Sequence, residues 1–185
     1  MSTKNELSER EVNEIRALLD RDAIRRCLDL YFHALDSRQY DLLNQVFVAE
    51  IDLADDKPAT PLPAFKEILG NVSRFRTSHH GVRNVLITLD GDRAHSSAYC
   101  LDTLLVDVDL SDAPAGSAGG WPPSHAAMPG PYLRRHGLRY LDDLERRPEG
   151  WRIVKRRGPF ILWRHHTFGV EVNPQADHLR EWDWA

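Results

Sequence analysis

Apolar residues recur at helical spacing in the segment 22–35, and polar residues fill the positions between them. The apolar positions are Ile24, Leu28, Tyr31 and Leu35. This spacing predicts a helix with one buried face, from about Asp22 to Leu35, with Asp36 directly after it. Upstream, Ser8 and the glutamates that follow it predict the N-terminal cap of a first helix within residues 1–20, which otherwise form a polar extension.

Two shorter helices and a short strand are expected next. Residues 40–46 place three apolar side chains inward, and residues 64–74 carry an apolar stripe of their own. Pro63 suits the start of the second of these helices. Between them, residues 47–53 predict a first short strand, and the proline-containing segment 55–63 predicts a loop.

The middle of the chain changes to the alternation that is typical of β-strands. Residues 82–89 are rich in β-branched and apolar side chains, Asp90-Gly91-Asp92 predicts a turn, and residues 94–108 predict a long strand. One face of this strand consists of Ala94, Ser96, Ala98, Cys100, Asp102, Leu104, Val106 and Val108. Asp102 is therefore an acid in the middle of a small and apolar face.

A second pair of strands is predicted at residues 138–144 and 151–157, joined by a turn at 146–150. Residues 160–163 either extend the last strand or begin a new element. Helices come first and antiparallel strands follow, which predicts a single domain over residues 1–185 of the α+β class. In this fold a curled antiparallel sheet and the N-terminal helices enclose a pocket.

Residues 111–131 are rich in Gly, Pro, Ser and Ala and predict a long loop. Loops of this length inside a compact domain are usually functional or disordered, so the segment is a candidate lid over a ligand. The C-terminal stretch carries Trp182 and Trp184, which we expect to pack on the body of the protein or on a second subunit. A homo-oligomer, dimer or trimer, is the corresponding expectation.

Composition and charge narrow the classes of function. The 185 residues carry a net charge of -4, which argues against a nucleic-acid binder that works through a basic surface. No apolar run approaches the roughly 18 residues that would span a bilayer, so we expect a cytoplasmic protein without a membrane partner. The two cysteines, Cys27 and Cys100, do not make a disulfide framework or a zinc pattern, and no metal or other cofactor is expected.

Several short motifs together resemble the SnoaL-like branch of the nuclear transport factor 2-like superfamily. They are Arg21-Asp22-Ala23-Ile24, Tyr31 to Arg38, the strand start from His80 to Asn84, Leu89 to Ala94, Tyr140-Leu141 and Gly150 to Ile153. The resemblance covers about residues 21–157 and implies a cone-shaped α+β fold, which is also described as cystatin-like. It is less specific for a reaction, because this fold hosts many activities and many proteins with none.

The resemblance also implies candidate catalytic residues. Hexachlorocyclohexane dehydrochlorinases have an Asp at the end of the first long helix and a His before the strand, which Asp36 and His80 match. Bile-acid dehydratases add a Tyr and a second Asp, which Tyr31 and Asp102 match, and an arginine for which Arg156, Arg157 and Arg164 are all candidates. Scytalone dehydratase uses a similar Asp–His pair, but its further Tyr and His residues have no match in this sequence.

These residue types suit proton transfer at carbon. A neutral His80 can act as the base, and Asp36 on its other ring nitrogen would fix the tautomer. Tyr31 would donate a hydrogen bond to a developing oxyanion, and Asp102 would act as an acid toward a leaving hydroxyl group. Residues expected to contact the substrate are Trp121, Met128, Asn84, Tyr140 and Phe32.

Each assignment has a simpler alternative. Asp36 could bond only to nearby backbone at the helix end, and Tyr31 could be an ordinary core aromatic. Asp102 could belong to a buried salt bridge. His79 is the rival of His80, since neighbours in a strand point to opposite faces and only one of them can point inward.

The sequence therefore predicts a cofactor-independent lyase or isomerase, with dehydration of a small hydrophobic cyclic molecule as the first expectation. A polyketide cyclase or an epoxide hydrolase on the same scaffold is the second. A non-catalytic ligand-binding or assembly module, like the small subunit of ring-hydroxylating dioxygenases, is the third, and it would have His80 and Asp36 too far apart for contact.

Overall fold

The computed structural model describes residues 7–53, 58–72, 75–106 and 131–171. It contains the helices α1 (Glu9–Ser37) and α2 (Leu62–Val72) and a 3₁₀ helix at Tyr40–Gln45. Its strands are β1 (Phe47–Asp52), β2 (Thr60–Pro61), β3 (Thr77–Asp90), β4 (Arg93–Val106), β5 (Tyr132–Arg147) and β6 (Gly150–Phe168). The α+β prediction is confirmed, with the helices preceding most of the sheet.

Helix α1 is one continuous helix, where the sequence predicted two. Ser8 is its N-cap, as expected, and forms a capping box with Glu11, because the Ser8 N–H donates to Glu11 Oε2 at 2.8 Å and the Glu11 N–H donates to Ser8 Oγ at 3.3 Å. Arg38 ends the helix in the left-handed conformation with φ 60°. Its buried residues are Ile24, Cys27, Leu28, Tyr31, Phe32, Ala34 and Leu35. The predicted stripe is therefore the face that packs on the sheet.

The six strands form one sheet in the order β2-β1-β6-β5-β4-β3. Strands β3, β4, β5 and β6 pair with one another in antiparallel fashion, β1 pairs with β6 in parallel, and β2 pairs with β1 antiparallel. The sheet curls without closing into a barrel, and α1 contacts β3 and β6 across its inner face. The C-terminal half of α1 is thus held over the strands that carry the candidate site.

The inner face of the sheet follows the predicted alternation. In β4 the positions from Ala94 to Val106 that were predicted to share one face are all buried. Val108 and all but the last residue of the candidate lid at 111–131 lie outside the described residues. Strand β5 starts at Tyr132, six positions before the predicted Leu138, and β6 continues through residues 160–163. Of the two alternatives that the sequence left open, residues 160–163 therefore extend the last strand and do not begin a new element. Trp182 and Trp184 also lie outside the described residues.

Two backbone positions shape the sheet locally. Gly91 has φ 59° in the predicted turn between β3 and β4, a conformation that a glycine adopts without strain. Asn84 has φ 49° at a β-bulge between Arg83 and Leu86, where the register of β3 on β4 shifts. The bulge lies four residues after His80, so the pairing around His80 itself stays regular.

Among the described residues, none of the helices has the length and apolar character required to cross a membrane.

Candidate active site

Asp36 and His80 form a hydrogen-bonded pair. Asp36 lies in the last turn of α1 and His80 in the first half of β3, which packs against this end of the helix. His80 Nδ1 is 2.6 Å from Asp36 Oδ1, and the backbone N–H of His80 donates to Asp36 Oδ2 at 2.9 Å. The hydroxyl of Ser78 donates to Asp36 Oδ1 at 2.6 Å. Both carboxylate oxygens are thereby fixed, and they hold the imidazole in one orientation.

These contacts set the protonation of the pair. Burial tends to raise the pKa of the Asp36 carboxyl, but the hydrogen bonds from His80 and Ser78 outweigh it, and the pKa is lowered below its ordinary value. Asp36 is therefore a carboxylate at neutral pH and accepts the Nδ1–H of His80. In this tautomer Nε2 is the unprotonated nitrogen of the ring, as a general base requires.

His80, rather than His79, faces the interior. The side chain of His80 is 7% exposed, whereas His79 is an exposed residue that pairs in register with Thr103 on the other face of the sheet. Alternation along β3 explains the difference, since Asp36 can reach only the face that α1 covers. Ser78, two residues before His80 and on the same face, was missed by the sequence analysis, although the same alternation would have found it.

An apolar wall stands beside the pair. The ring of Phe32 lies 5.4 Å from the ring of His80, and Phe32 itself is 3% exposed. A cavity of about 270 Å³ opens next to the two rings. It is lined by Asp29, Phe32, His33, Asp36, His80 and Val82. The predicted substrate contact Phe32 is thus adjacent to the candidate base.

Asp102 lies beside His80 but bonds to a different histidine. The backbone N–H of His136 donates to Asp102 Oδ1 at 2.8 Å, and His136 Nδ1 is 2.9 Å from Asp102 Oδ2. On its other side, His136 Nε2 accepts from Arg164 Nε at 3.0 Å. That acceptor role requires the Nδ1–H tautomer, so a neutral His136 lies between a carboxylate and a guanidinium.

The four residues form a row across the sheet. His80, Asp102, His136 and Arg164 are successive register partners in β3, β4, β5 and β6, and so they share one face. Sequence reasoning missed His136 because the strand that carries it was predicted to begin at Leu138. Arg164, one of three candidates for the dehydratase arginine, is the one that joins this row.

Tyr31 lies deeper, in a cluster of aromatic rings around a buried ion pair. Its ring is 4.9 Å from that of Phe32 and 6.2 Å from that of Tyr140. The guanidinium carbon of Arg156 lies 4.0 Å from the centre of the Tyr31 ring, and Arg156 is bonded to Asp142. Burial raises the pKa of Tyr31, so the phenol stays protonated. Tyr31 does not line the cavity beside His80.

The remaining predicted contacts fall in three places. Tyr140 is 4% exposed, and its ring is 5.4 Å from that of Phe32, so it backs the apolar wall. Asn84 is exposed at the β3 bulge, outside the cavity beside His80. Trp121 and Met128 lie outside the described residues.

No group of three His, Cys, Asp or Glu side chains in the described parts of the chain is arranged to hold a metal ion.

Comparison with known proteins gives a family and a fold. The model of the SnoaL-like domain matches residues 16–157, which is most of the chain. An uncharacterized protein of Mycobacterium tuberculosis (strain ATCC 25618 / H37Rv) is 27% identical over 155 residues, which cover 80% of this chain and 90% of that protein.

Solved structures share the architecture at low sequence identity. The Kfla4162 protein from Kribbella flavida superposes with a TM-score of 0.61 at 21% identity, over 89% of this chain and 98% of that one. A hexachlorocyclohexane dehydrochlorinase from Novosphingobium barchaimii LL02 superposes with a TM-score of 0.64 at 15% identity, over 87% of this chain and 99% of that one. At these identities the similarity establishes the fold.

Proposed function

Because the chain belongs to the SnoaL-like domain family, we propose that it is a cofactor-independent lyase or isomerase that acts on a small hydrophobic cyclic molecule, with dehydration as the first reaction to test. The observation that carries the proposal is the 2.6 Å contact between His80 Nδ1 and Asp36 Oδ1. The assembly-module alternative expected these groups to be out of contact, so the short distance favours an enzyme. The dehydrochlorinase with the same fold adds an example of elimination chemistry on this scaffold.

His80 is the base in the proposed reaction. Its Nε2 takes a proton from a substrate carbon, the electrons of the C–H bond form the new double bond, and the C–O bond to the leaving hydroxyl group breaks. The imidazolium returns the proton to the departing hydroxide, which leaves as water. Asp36, with its lowered pKa, stabilises the imidazolium between these two transfers.

Asp102 has a different part from the acid role that the sequence suggested. Both of its oxygens accept hydrogen bonds from His136, and this arrangement favours the role of a positioning residue that holds His136 and, through it, Arg164. Tyr31 packs in the core near Arg156, and its proposed function is to support Phe32 at the apolar wall.

The test is the loss of turnover on removing the pair. A panel of cyclic β-hydroxy ketones is incubated with the protein, and dehydration is followed by the ultraviolet absorbance of the enone. We expect His80→Ala to lower kcat/KM by about 10² to 10⁴, the usual contribution of a general base, and Asp36→Asn to lower it in the same direction.

His79→Ala is the matched control, because it removes the neighbouring imidazole from the opposite, exposed face. It should retain the activity of the wild type. If folded His80→Ala and Asp36→Asn proteins both turn over a substrate as fast as the wild type does, the proposed mechanism is wrong.

A further inference from the structure

Two arginines are buried on the inner face of the sheet, and they differ in their partners. Arg156 is 2% exposed and donates two hydrogen bonds to Asp142, at 2.7 and 2.8 Å. Arg134 is 5% exposed, and its Nε and Nη1 have no hydrogen-bond partner among residues 7–53, 58–72, 75–106 and 131–171. A buried guanidinium normally has a carboxylate beside it, so Arg134 is the unusual one.

A charged Arg134 in this buried and unpartnered position costs free energy. Burial lowers the pKa of the Arg134 guanidinium, and the nearby charge of Arg164 acts in the same direction, whereas Tyr132 and Asp102 oppose the shift without cancelling it. Burial also acts to lower the pKa of Arg156, but the charge and hydrogen bonds of Asp142, together with Tyr31 and Tyr140, outweigh it and raise the pKa. An anion placed next to Arg134 would relieve the cost that Asp142 relieves at Arg156.

Arg134 lies close to the candidate active site. It precedes His136 by two residues in β5, so both side chains point to the same face of the sheet. Arg134 pairs in register with Leu104 of β4 and with His166 of β6. These residues form a second row, two positions along the strands from the row that contains His80 and Asp102. Strands β3 and β5 are two strand spacings apart, and Arg134 lies two residues along β5 from the row of His80. With regular strand geometry, the Cα atoms of Arg134 and His80 are therefore about 12 Å apart.

Both carboxylates beside these two rows have hydrogen-bond partners other than Arg134. Asp36 accepts from Ser78 and His80, and Asp102 accepts from His136, whose ring in turn accepts from Arg164. The adjoining rows offer mainly apolar side chains, with Cys100 and Leu138 on one side and Val106 and Tyr132 on the other. Arg134 is thus a buried guanidinium without a carboxylate bonded to it among the described residues, and it borders an apolar surface.

We propose that Arg134 binds an anionic group of the substrate, a carboxylate or a phosphate ester, while the apolar body of the same molecule extends toward His80. This inference rests on the proposed function, since it adds a charged group to the molecule on which His80 acts. Arg164 is held by His136 and provides the second positive charge at this end of the molecule.

The experiment compares Arg134→Met with Arg135→Met. Arg135 is the next residue in β5 and lies on the opposite face, so it is a matched control for losing one arginine. The probes are benzoate, phenyl phosphate and benzamide, together with the corresponding 1-naphthyl compounds. Their affinities are measured by isothermal titration calorimetry, and the Tm of each variant is measured without ligand.

In both the wild type and Arg135→Met, we expect the carboxylate, the phosphate ester or both to bind more tightly than the neutral amide with the same ring. Arg134→Met should lose at least about tenfold of that affinity, as expected for a hydrogen bond to a charged group, and should bind the amide as the wild type does. Comparing the carboxylates with the phosphate esters identifies which anion is preferred. Arg134→Lys keeps the positive charge and should retain part of the preference for the anion over the amide.

The Tm distinguishes a binding arginine from a structural one. Removing an unpaired buried charge should leave the Tm of Arg134→Met unchanged or raise it. A fall of more than about 4 °C relative to Arg135→Met, or failure to fold, would mean that a group of the chain already pairs with Arg134, and would overturn the proposal. Equal binding of anions and amides by the wild type, or equal anion binding by Arg134→Met and wild type, would overturn it as well.

The outcome is separable from that of the proposed function. His80→Ala should still bind the preferred anion more tightly than its neutral amide, because it leaves Arg134 in place. Loss of anion preference in Arg134→Met with full turnover in His80→Ala would refute the catalytic proposal alone. Loss of turnover in His80→Ala with no anion preference in any variant would refute the binding proposal alone.

Discussion

Asp36 has structural contacts in addition to its proposed role in catalysis. Three hydrogen bonds from Ser78 and His80 end on its carboxylate, and they join the last turn of α1 to β3. The same bonds leave Nε2 of His80 as the basic nitrogen. A substitution at Asp36 is therefore expected to affect both the stability of the fold and the activity, whereas a substitution at Ser78 removes one hydrogen bond and leaves the pair intact.

The contribution of Asp36 to stability should depend on pH in the acid range. Its pKa in the folded protein lies below the ordinary value of 3.8, so the folded state favours the carboxylate form. This stabilisation is complete above the ordinary pKa and is lost as the pH falls through the folded pKa. The wild type should thus exceed Asp36→Asn in its free energy of unfolding at about pH 5, and this excess should shrink as the pH falls below about 4.

Urea denaturation between pH 3 and pH 7 measures this difference. Asp29→Asn is the control, because Asp29 lines the same cavity but makes no side-chain hydrogen bond to the residues that the structure describes. Its curve should follow that of the wild type. A difference between wild type and Asp36→Asn that stays constant down to pH 3 would contradict the assigned role of the three hydrogen bonds.

Some residues of the candidate site could be predicted from the sequence, and others could not. The spacing of Asp36 and His80, interpreted through the family resemblance, predicted two residues that are in contact in the structure. Arg134 and His136 were not predicted, because buried polar residues at inward positions of β5 interrupt the apolar alternation from which a strand is recognised. Their partners come from β4 and β6, and register between distant strands is not visible in the local sequence.

Helix α1 illustrates the same limit for an entire element. The apolar stripe begins at Ile24 because the first three turns of the helix have mostly exposed side chains and pack on little else. Periodicity therefore located the buried half and left the exposed half as a separate piece. The exposed half is held by its capping box and by Asp20, which accepts hydrogen bonds from Arg146 and from Trp151 Nε1.

The capping box should stabilise the first turns locally. Ser8→Ala removes the acceptor for the Glu11 N–H and should cost about 1 kcal/mol of helix stability, the usual value for an N-cap. Because these turns lie outside the core, the loss should appear as fraying up to Asp20. Amide hydrogen exchange in residues 10–16 should become about fivefold faster, with little change in the Tm.

Ser8→Asp is the matched control, since an aspartate also accepts at the N-cap, and its exchange rates should stay close to those of the wild type. A large fall in the Tm of Ser8→Ala would show instead that the exposed half of α1 is coupled to the core.

At the scale of the whole molecule, one buried ion pair contacts several of the elements that surround the candidate site. Arg156 and Asp142 are opposite each other in β5 and β6, and the guanidinium also contacts Tyr31 of α1 and Phe47 of β1. Tyr31 in turn packs on Phe32, whose ring faces His80. The pair is therefore placed to keep the helix, the edge of the sheet and the apolar wall of the cavity in one arrangement.

Breaking this pair should be far more harmful than removing it. Asp142→Leu leaves Arg156 charged and buried without its carboxylate, and we expect the free energy of unfolding to fall by about 3–5 kcal/mol. The double variant Asp142→Leu/Arg156→Met replaces both groups with apolar side chains and should recover most of this loss, because neither charge then has to be desolvated.

Asp143→Leu is the control on the neighbouring, partly exposed face, where the pairs with His95 and Arg157 should be worth at most about 1 kcal/mol. Urea unfolding of the four variants, with Arg156→Met as the fourth, gives the coupling energy directly, and a double variant as unstable as the sum of its two single variants would contradict the role assigned to the pair.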